Sequence, residues 1–175
     1  APHVCATELA RLRRQLSDLA GRAMIVSRHT TPDVMAFVGR PDLADVATRG
    51  PITPDHVIRT KRTALIGCEP VDLARYATEY AAYFAEQSPR AREPVTMLDP
   101  APRVILDPAV GMLTAGPRAV DADIAADIYR HTMSVITDCE DRLGGWVPLP
   151  PGDIFDLEYW DLEQAKLRLA GPPKE

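Results

Sequence analysis

Two apolar runs, "RVILDP" and "VGMLTAG", stand almost back to back at Arg103–Pro108 and Val110–Gly116, and they restrict the folds open to this chain more than any other feature. Each has the length and branching of a strand. Pro108 and Ala109 leave room between them for little more than a turn, so the spacing predicts an antiparallel pair. The opposite pattern follows. "PRAVDADIAADIYRHTMSVITDCEDRLGG" is the longest segment with helical period, with Val120, Ile124, Ile128, Thr132, Val135, Cys139 and Leu143 on one face and Gly144-Gly145 to end it. A hairpin and an amphipathic helix that must both hide apolar surface make a layered domain.

The rest of the chain repeats that alternation. Residues 4–20, "VCATELARLRRQLSDLA", predict a helix stopped by Gly21, and "AMIVSRH" (23–29) reads as a short buried strand. "PDLADVA" opens with a proline suited to a first helical turn, and "TALIGC" (63–68) reads as another strand. "PVDLARYATEYAAYFAEQ" (70–87) is a strong helix that Asp72 can cap; Leu73, Ala77, Tyr80, Ala81 and Phe84 share a face before "SPRAREP" breaks it. "IFDLEYWDLEQAKLRLAG" reads as a last helix. The fold class expected is α/β, with a mixed or antiparallel sheet and packed helices, in a chain of 175 residues that can bury a core without staples.

Composition removes several function classes. A net charge of −5 with no long basic patch argues against a nucleic-acid partner, and no apolar run approaches a membrane span. Cys5, Cys68 and Cys139 are odd in number and widely spaced, which argues against a disulfide framework or a zinc knot and for a reducing, cytoplasmic setting. The beginning lacks both a methionine and a signal peptide's apolar core, and the end is the abrupt "AGPPKE"; together they read as a piece of a longer protein.

No Gly-rich nucleotide loop, G-x-S-x-G elbow, H-E-x-x-H or H-x-H pair is present. The four histidines are not clustered: His3 lies near the chain start, His29 follows a strand, and His131 sits within a long helix, where an exposed imidazole is unremarkable. His56 differs in its setting, "RGPITPDHVIRTKR", where Pro51 and Pro54 stiffen the backbone on its N-terminal side. Two readings fit it, a metal ligand held in fixed orientation or a loop-tying residue. Two also fit Arg59, Lys61 and Arg62: a grip on phosphate or carboxylate, or the solvated edge of a strand with Val57, Ile58 and Leu65 facing inward.

"GPITPDHVIRTKR", "RVILDPAVGMLTAG" with the helix "DADIAADIYRHTMSVI", and the tail "DIFDLEYWDLEQAKL" together resemble one family, from about Gly50 to about Leu169. It is the bifunctional class II aldolase/short-chain dehydrogenase proteins, or rhamnulose-1-phosphate aldolase/alcohol dehydrogenases. The resemblance implies a class II aldolase/adducin-like fold, here partial. Residues 1–147 would be the C-terminal portion of the aldolase-like domain and 148–175 a tail helix leading to an absent dehydrogenase domain. It implies metal-dependent cleavage of a ketose 1-phosphate to dihydroxyacetone phosphate and lactaldehyde in the full protein. There a divalent metal, zinc by preference, would polarise the ketone.

NAD(P) would serve only the missing domain, and neither cofactor is expected on this piece alone, which should be inactive. The partners implied are the sugar phosphate, the upstream aldolase half, the downstream dehydrogenase domain and, for the parent protein, its own copies in a symmetric tetramer. The family's later metal histidine sits in a turn whose equivalent here is "PAVGM", with Val110 in its place. That departure leaves His56 as the candidate third metal ligand, with Arg59 and Lys61 as candidates for the substrate phosphate. The alternative is a non-catalytic, adducin-like interaction module.

Overall fold

The computed structural model describes residues 6–161. Its elements in chain order are α1 (Ala6–Ala20), β1 (Ile25–His29), α2 (Pro32–Val38), α3 (Leu43–Val46), α4 (Val57–Thr60), β2 (Leu65–Ile66), α5 (Pro70–Gln87), β3 (Val104–Asp107), β4 (Gly111–Gly116), α6 (Ala119–Arg142) and α7 (Pro151–Glu158). Single 3-10 turns at Pro54–His56 and Ser88–Arg90 lead into α4 and out of α5.

The four strands form one mixed sheet in the order β1-β4-β3-β2, with β4 antiparallel to both neighbours and β2 parallel to β3. The predicted hairpin is its centre: Ile105 opposes Leu113 and Leu106 opposes Met112. Pro108–Val110 close it. Asp107 makes that turn, its Oδ1 accepting from the Ala109 N–H at 2.8 Å and the Val110 N–H at 3.0 Å. Gly111 restarts the strand at φ +99°, where a Cβ would lie 2.5 Å from the His29 carbonyl oxygen, so only glycine fits without a shift.

Side-chain alternation along the hairpin sorts residues onto two faces. Val104, Leu106 and Met112 join Val34, Phe37 and Met133 on the side covered by α2, α3 and α6. Ile105, Leu113 and Ala115 join Leu12, Leu16 and Leu73 under α1 and α5. The result is helix, sheet, helix, as expected for the class.

Four local expectations are corrected. The segment around β1 is an edge strand, with Ile25 at 41% exposure, because nothing pairs with its outer side among the described residues. The buried face of α6 is Ala122, Ala125, Ala126, Tyr129, Thr132, Met133 and Ile136; Thr132 lies inward as expected and Cys139 packs against the same core, while Val120 and Leu143 stand out in solvent. Contact distance explains the swap: a Cβ on Gly116 would lie 2.7 Å from the Ala122 nitrogen, so the start of α6 is too close to the sheet for branched side chains. Glu69 rather than Asp72 holds the N-cap of α5, and Asp72 at the third helical position accepts the Glu69 N–H at 3.1 Å. "HVIRT" forms a helical turn in place of a strand edge, with Val57 buried.

β2 is the other edge, and several backbone groups along and just before it are occupied. The Ala64 N–H donates to the Ala47 carbonyl at 3.5 Å, Arg75 Nη2 to the Ile66 carbonyl at 3.0 Å and the Tyr76 hydroxyl to the Thr63 carbonyl at 3.0 Å. α7 packs against α5, α4 and the Pro54–His56 turn, so the start of the tail block is docked into the body. The remainder of that block, from residue 162, lies outside the described residues, as do His3 and Cys5.

Candidate functional site

The sequence-predicted residues lie together in the chain but turn to different places. His56 is half-buried at the end of its 3-10 turn, and its Nδ1 is enclosed without a hydrogen-bond partner among the described residues. Arg59 reaches Asp121 in the first turn of α6, Nη1 to Oδ1 at 3.6 Å; Arg118 holds the same carboxylate through two contacts at 2.7 and 2.8 Å. Lys61 turns inward.

Lys61 closes α4 with φ +64°, a left-handed conformation uncommon for a residue with a side chain. Its ammonium donates to the Asp99 carbonyl at 2.7 Å, sits 4.2 Å from the Tyr80 ring centroid and 4.0 Å from Glu158 Oε1. Glu158 is fully buried on α7 and accepts from the Tyr80 hydroxyl at 2.8 Å. That bond uses the Tyr80 proton, so Tyr159 donates to the Tyr80 oxygen at 2.9 Å and in turn accepts the Leu98 N–H at 3.2 Å. A relay therefore runs from the Leu98 backbone to a buried carboxylate facing a buried ammonium. Burial pulls Lys61 down to about 8 against the pull of Glu158, and burial likewise raises Glu158 above the ordinary carboxylate range.

This relay was not foreseen. Its signal was Glu158 itself, which shares a helix face with Ile154 and Phe155; an acid on an apolar stripe needs a buried partner.

Metal binding requires several converging donors. Among the described residues no three His, Cys, Asp or Glu side chains lie close enough to hold an ion. His29 is engaged at both ring nitrogens, with Thr114 Oγ1 and an Arg130 Nη2 at 2.9 Å each. Arginine can only donate, so Nδ1 accepts and Nε2 carries the proton; burial and then the Arg130 charge lower the pKa of His29. His131 is exposed on α6. Val110 is buried, its N–H bound by Asp107 and its carbonyl accepting from Arg28 Nε at 2.8 Å. The residues described do not by themselves fit a metal; His56 offers one imidazole and no companion.

Two clefts flank the sheet. The larger, about 720 Å³, runs along β2 between α5 and the end of α3. The smaller, about 250 Å³, opens at the hairpin turn, where Cys68 Sγ donates to Asp107 Oδ2 at 3.5 Å. Burial, followed by the Asp107 charge, pushes this thiol up to about 12. At pH 8 the thiolate population is then about a thousandfold below that of a free cysteine. Peptide-resolved iodoacetamide labelling should find Cys68 modified at least about a hundredfold more slowly than the unfolded chain, with Asp107→Asn restoring part of the rate.

Comparison with known proteins gives these features a family. The chain is 31% identical over 168 residues to the uncharacterized oxidoreductase YuxG of Bacillus subtilis (strain 168), an alignment covering 88% of this chain and 24% of YuxG. It thus spans about a quarter of that relative's length. A solved structure, YgbL of Escherichia coli, aligns with a TM-score of 0.49 at 17% identity, covering 86% of this chain and 65% of that one. No helix among the described residues is long and apolar enough to cross a membrane. Residues 3–167 match the family described as aldolase class II, second domain, and this chain belongs to that family.

Proposed function

We propose that this chain is one part of a class II aldolase-type domain in a longer protein. In that protein the domain would cleave a ketose 1-phosphate of the rhamnulose-1-phosphate kind to dihydroxyacetone phosphate and lactaldehyde. An NAD(P)-dependent dehydrogenase domain would follow residues 148–175. The family match supports the aldolase part, and the oxidoreductase name of a relative about four times as long supports the fusion.

The observation that carries the reading is the incomplete donor set. His56 presents an enclosed nitrogen without a partner, and no second or third donor stands near it among the described residues. The remaining ligands would come from chain outside this one, with His56 as this chain's contribution. For the substrate phosphate Arg59, which shares Asp121 with Arg118, is the more accessible cation of the original pair, since the Lys61 ammonium is enclosed with Asp99 and Glu158.

A second reading has its own observation. Val110 and its turn are tied by Asp107 and Arg28 into a structural hairpin, which suits an adducin-like interaction module. One experiment separates them. Zinc titration of the 175-residue chain should give no stoichiometric site, whereas the longer protein should show chelator-sensitive retro-aldol activity that His56→Ala lowers together with metal content. No cleavage by the metal-loaded longer protein supports the interaction module. Unchanged metal stoichiometry and activity in His56→Ala would sink the ligand assignment.

A further inference from the structure

The cleft along β2 contains a cation that the fold has not neutralised. Arg59 has Asp121, Lys61 has Glu158, and Arg75 has Asp72 at 3.1 Å and Glu79 at 3.8 Å. Arg62, half-buried in the cleft wall, has no carboxylate within ion-pair distance among the described residues. Its guanidinium lies 4.9 Å from the centroid of the Tyr83 ring. A guanidinium held over a ring face can still turn N–H groups toward an oxyanion, which it meets best through two parallel bonds.

The surroundings are those of a small-molecule site. About 720 Å³ lies within the range that holds a metabolite. Tyr76 and Tyr80 supply an aromatic wall, and Ala64 and Leu65 an apolar floor. The acids at the far end, Asp72 and Glu79, are engaged by Arg75, so they do not compete for Arg62. The field of Arg62 also reaches Glu158 behind the wall, but that carboxylate is buried with Lys61.

We propose that this cleft binds a small ligand bearing a carboxylate or phosphate, gripped by Arg62, with its apolar or sugar-like body against Tyr76 and Tyr80. The site does not depend on the aldol reading, because neither His56 nor Arg59 lines it. Amide chemical-shift titration of the isotope-labelled 175-residue chain tests it, with inorganic phosphate in one arm and benzoate in the other. Saturable shifts confined to Ala64–Gly67 and Tyr76–Tyr83, at about millimolar affinity, are expected in one arm, and that arm identifies the anion.

Arg62→Met should weaken binding at least about tenfold, the loss of a charge-assisted pair, while Arg62→Lys falls between. The same spectra report whether each variant is folded. If Arg62→Met is unfolded, the intermediate affinity of Arg62→Lys still supports the site and an unchanged affinity refutes it. Linear, unsaturated shifts to about 50 mM in both arms, or equal binding by a folded Arg62→Met, would overturn the proposal.

Discussion

Lys61→Met is expected to cost about 3–5 kcal/mol of stability at pH 7, where Lys61 is still charged, because it leaves the Glu158 carboxylate buried without its cation. Methionine keeps the unbranched chain, one heavy atom shorter, and meets the same φ of +64°, so the loss reports the ammonium's charge and its bond to the Asp99 carbonyl more than packing. The cost depends on pH, and its sign follows from Glu158. The folded pKa of that group stands above its ordinary 4.5, raised by burial. Between those values the folded chain holds a proton that the unfolded chain has released, so stability is greatest below 4.5 and is lost as pH rises through the folded value. Removing Lys61 raises the folded value further. The variant should therefore lie closer to the parent near pH 5 than at pH 7, both below the value at which Lys61 itself loses its proton. Urea unfolding at both pH values measures this, and Lys61→Met with Glu158→Gln should cost less than the sum of the two single changes. A loss under about 1 kcal/mol at pH 7 would remove Lys61 from the interior relay.

Phe155→Ala should be of similar size, about 3–5 kcal/mol, for a different reason. Phe155 is 1% exposed and stacks on Tyr159 with centroids 4.4 Å apart at 23°; Tyr83 meets it edge-on at 5.7 Å. It sits between α7 and α5 beside the Phe84–Tyr159 contact and the Tyr80–Glu158 hydrogen bond, and alanine leaves a void among those rings. The loss should appear first as faster hydrogen exchange in Pro151–Glu158, with the α5 amides following and the β3–β4 hairpin last. Uniform exchange across all three would show α7 to be part of one cooperative core.

The parts of this fold legible from sequence are those whose reasons are local. The β3–β4 hairpin is written in two apolar runs and a turn, and α5 in its length and its opening proline; both lie where the spacing put them, though α5 buries Tyr76 and Tyr83 beside Leu73 and Tyr80, with Ala77, Ala81 and Phe84 only partly covered. α2 was missed because seven residues hold too few turns to show a period. The face of α6 was misplaced because bulk was taken as the mark of burial, whereas a helix lying close to a sheet buries its alanines. In the candidate site, the basic run around Lys61 was visible, but the carboxylate it meets lies on α7 and its carbonyl partner on the segment before β3. Nothing in the spacing of Arg59, Lys61 and Arg62 tells which of three successive cations points at a helix end, into the core, or across a ring.

The capped side of β2 has a consequence for how this molecule can be joined to others. Ala47, Tyr76 and Arg75 stop the sheet there, so a strand approaching that flank finds those backbone groups already taken. Among the described residues β1 carries no such stop, and its five residues pair on one side alone. A strand exchanged between copies, or contributed by neighbouring chain to enlarge the sheet, therefore meets more open backbone beside Ile25–His29 than beside β2, and the two edges of the sheet are unequal as templates.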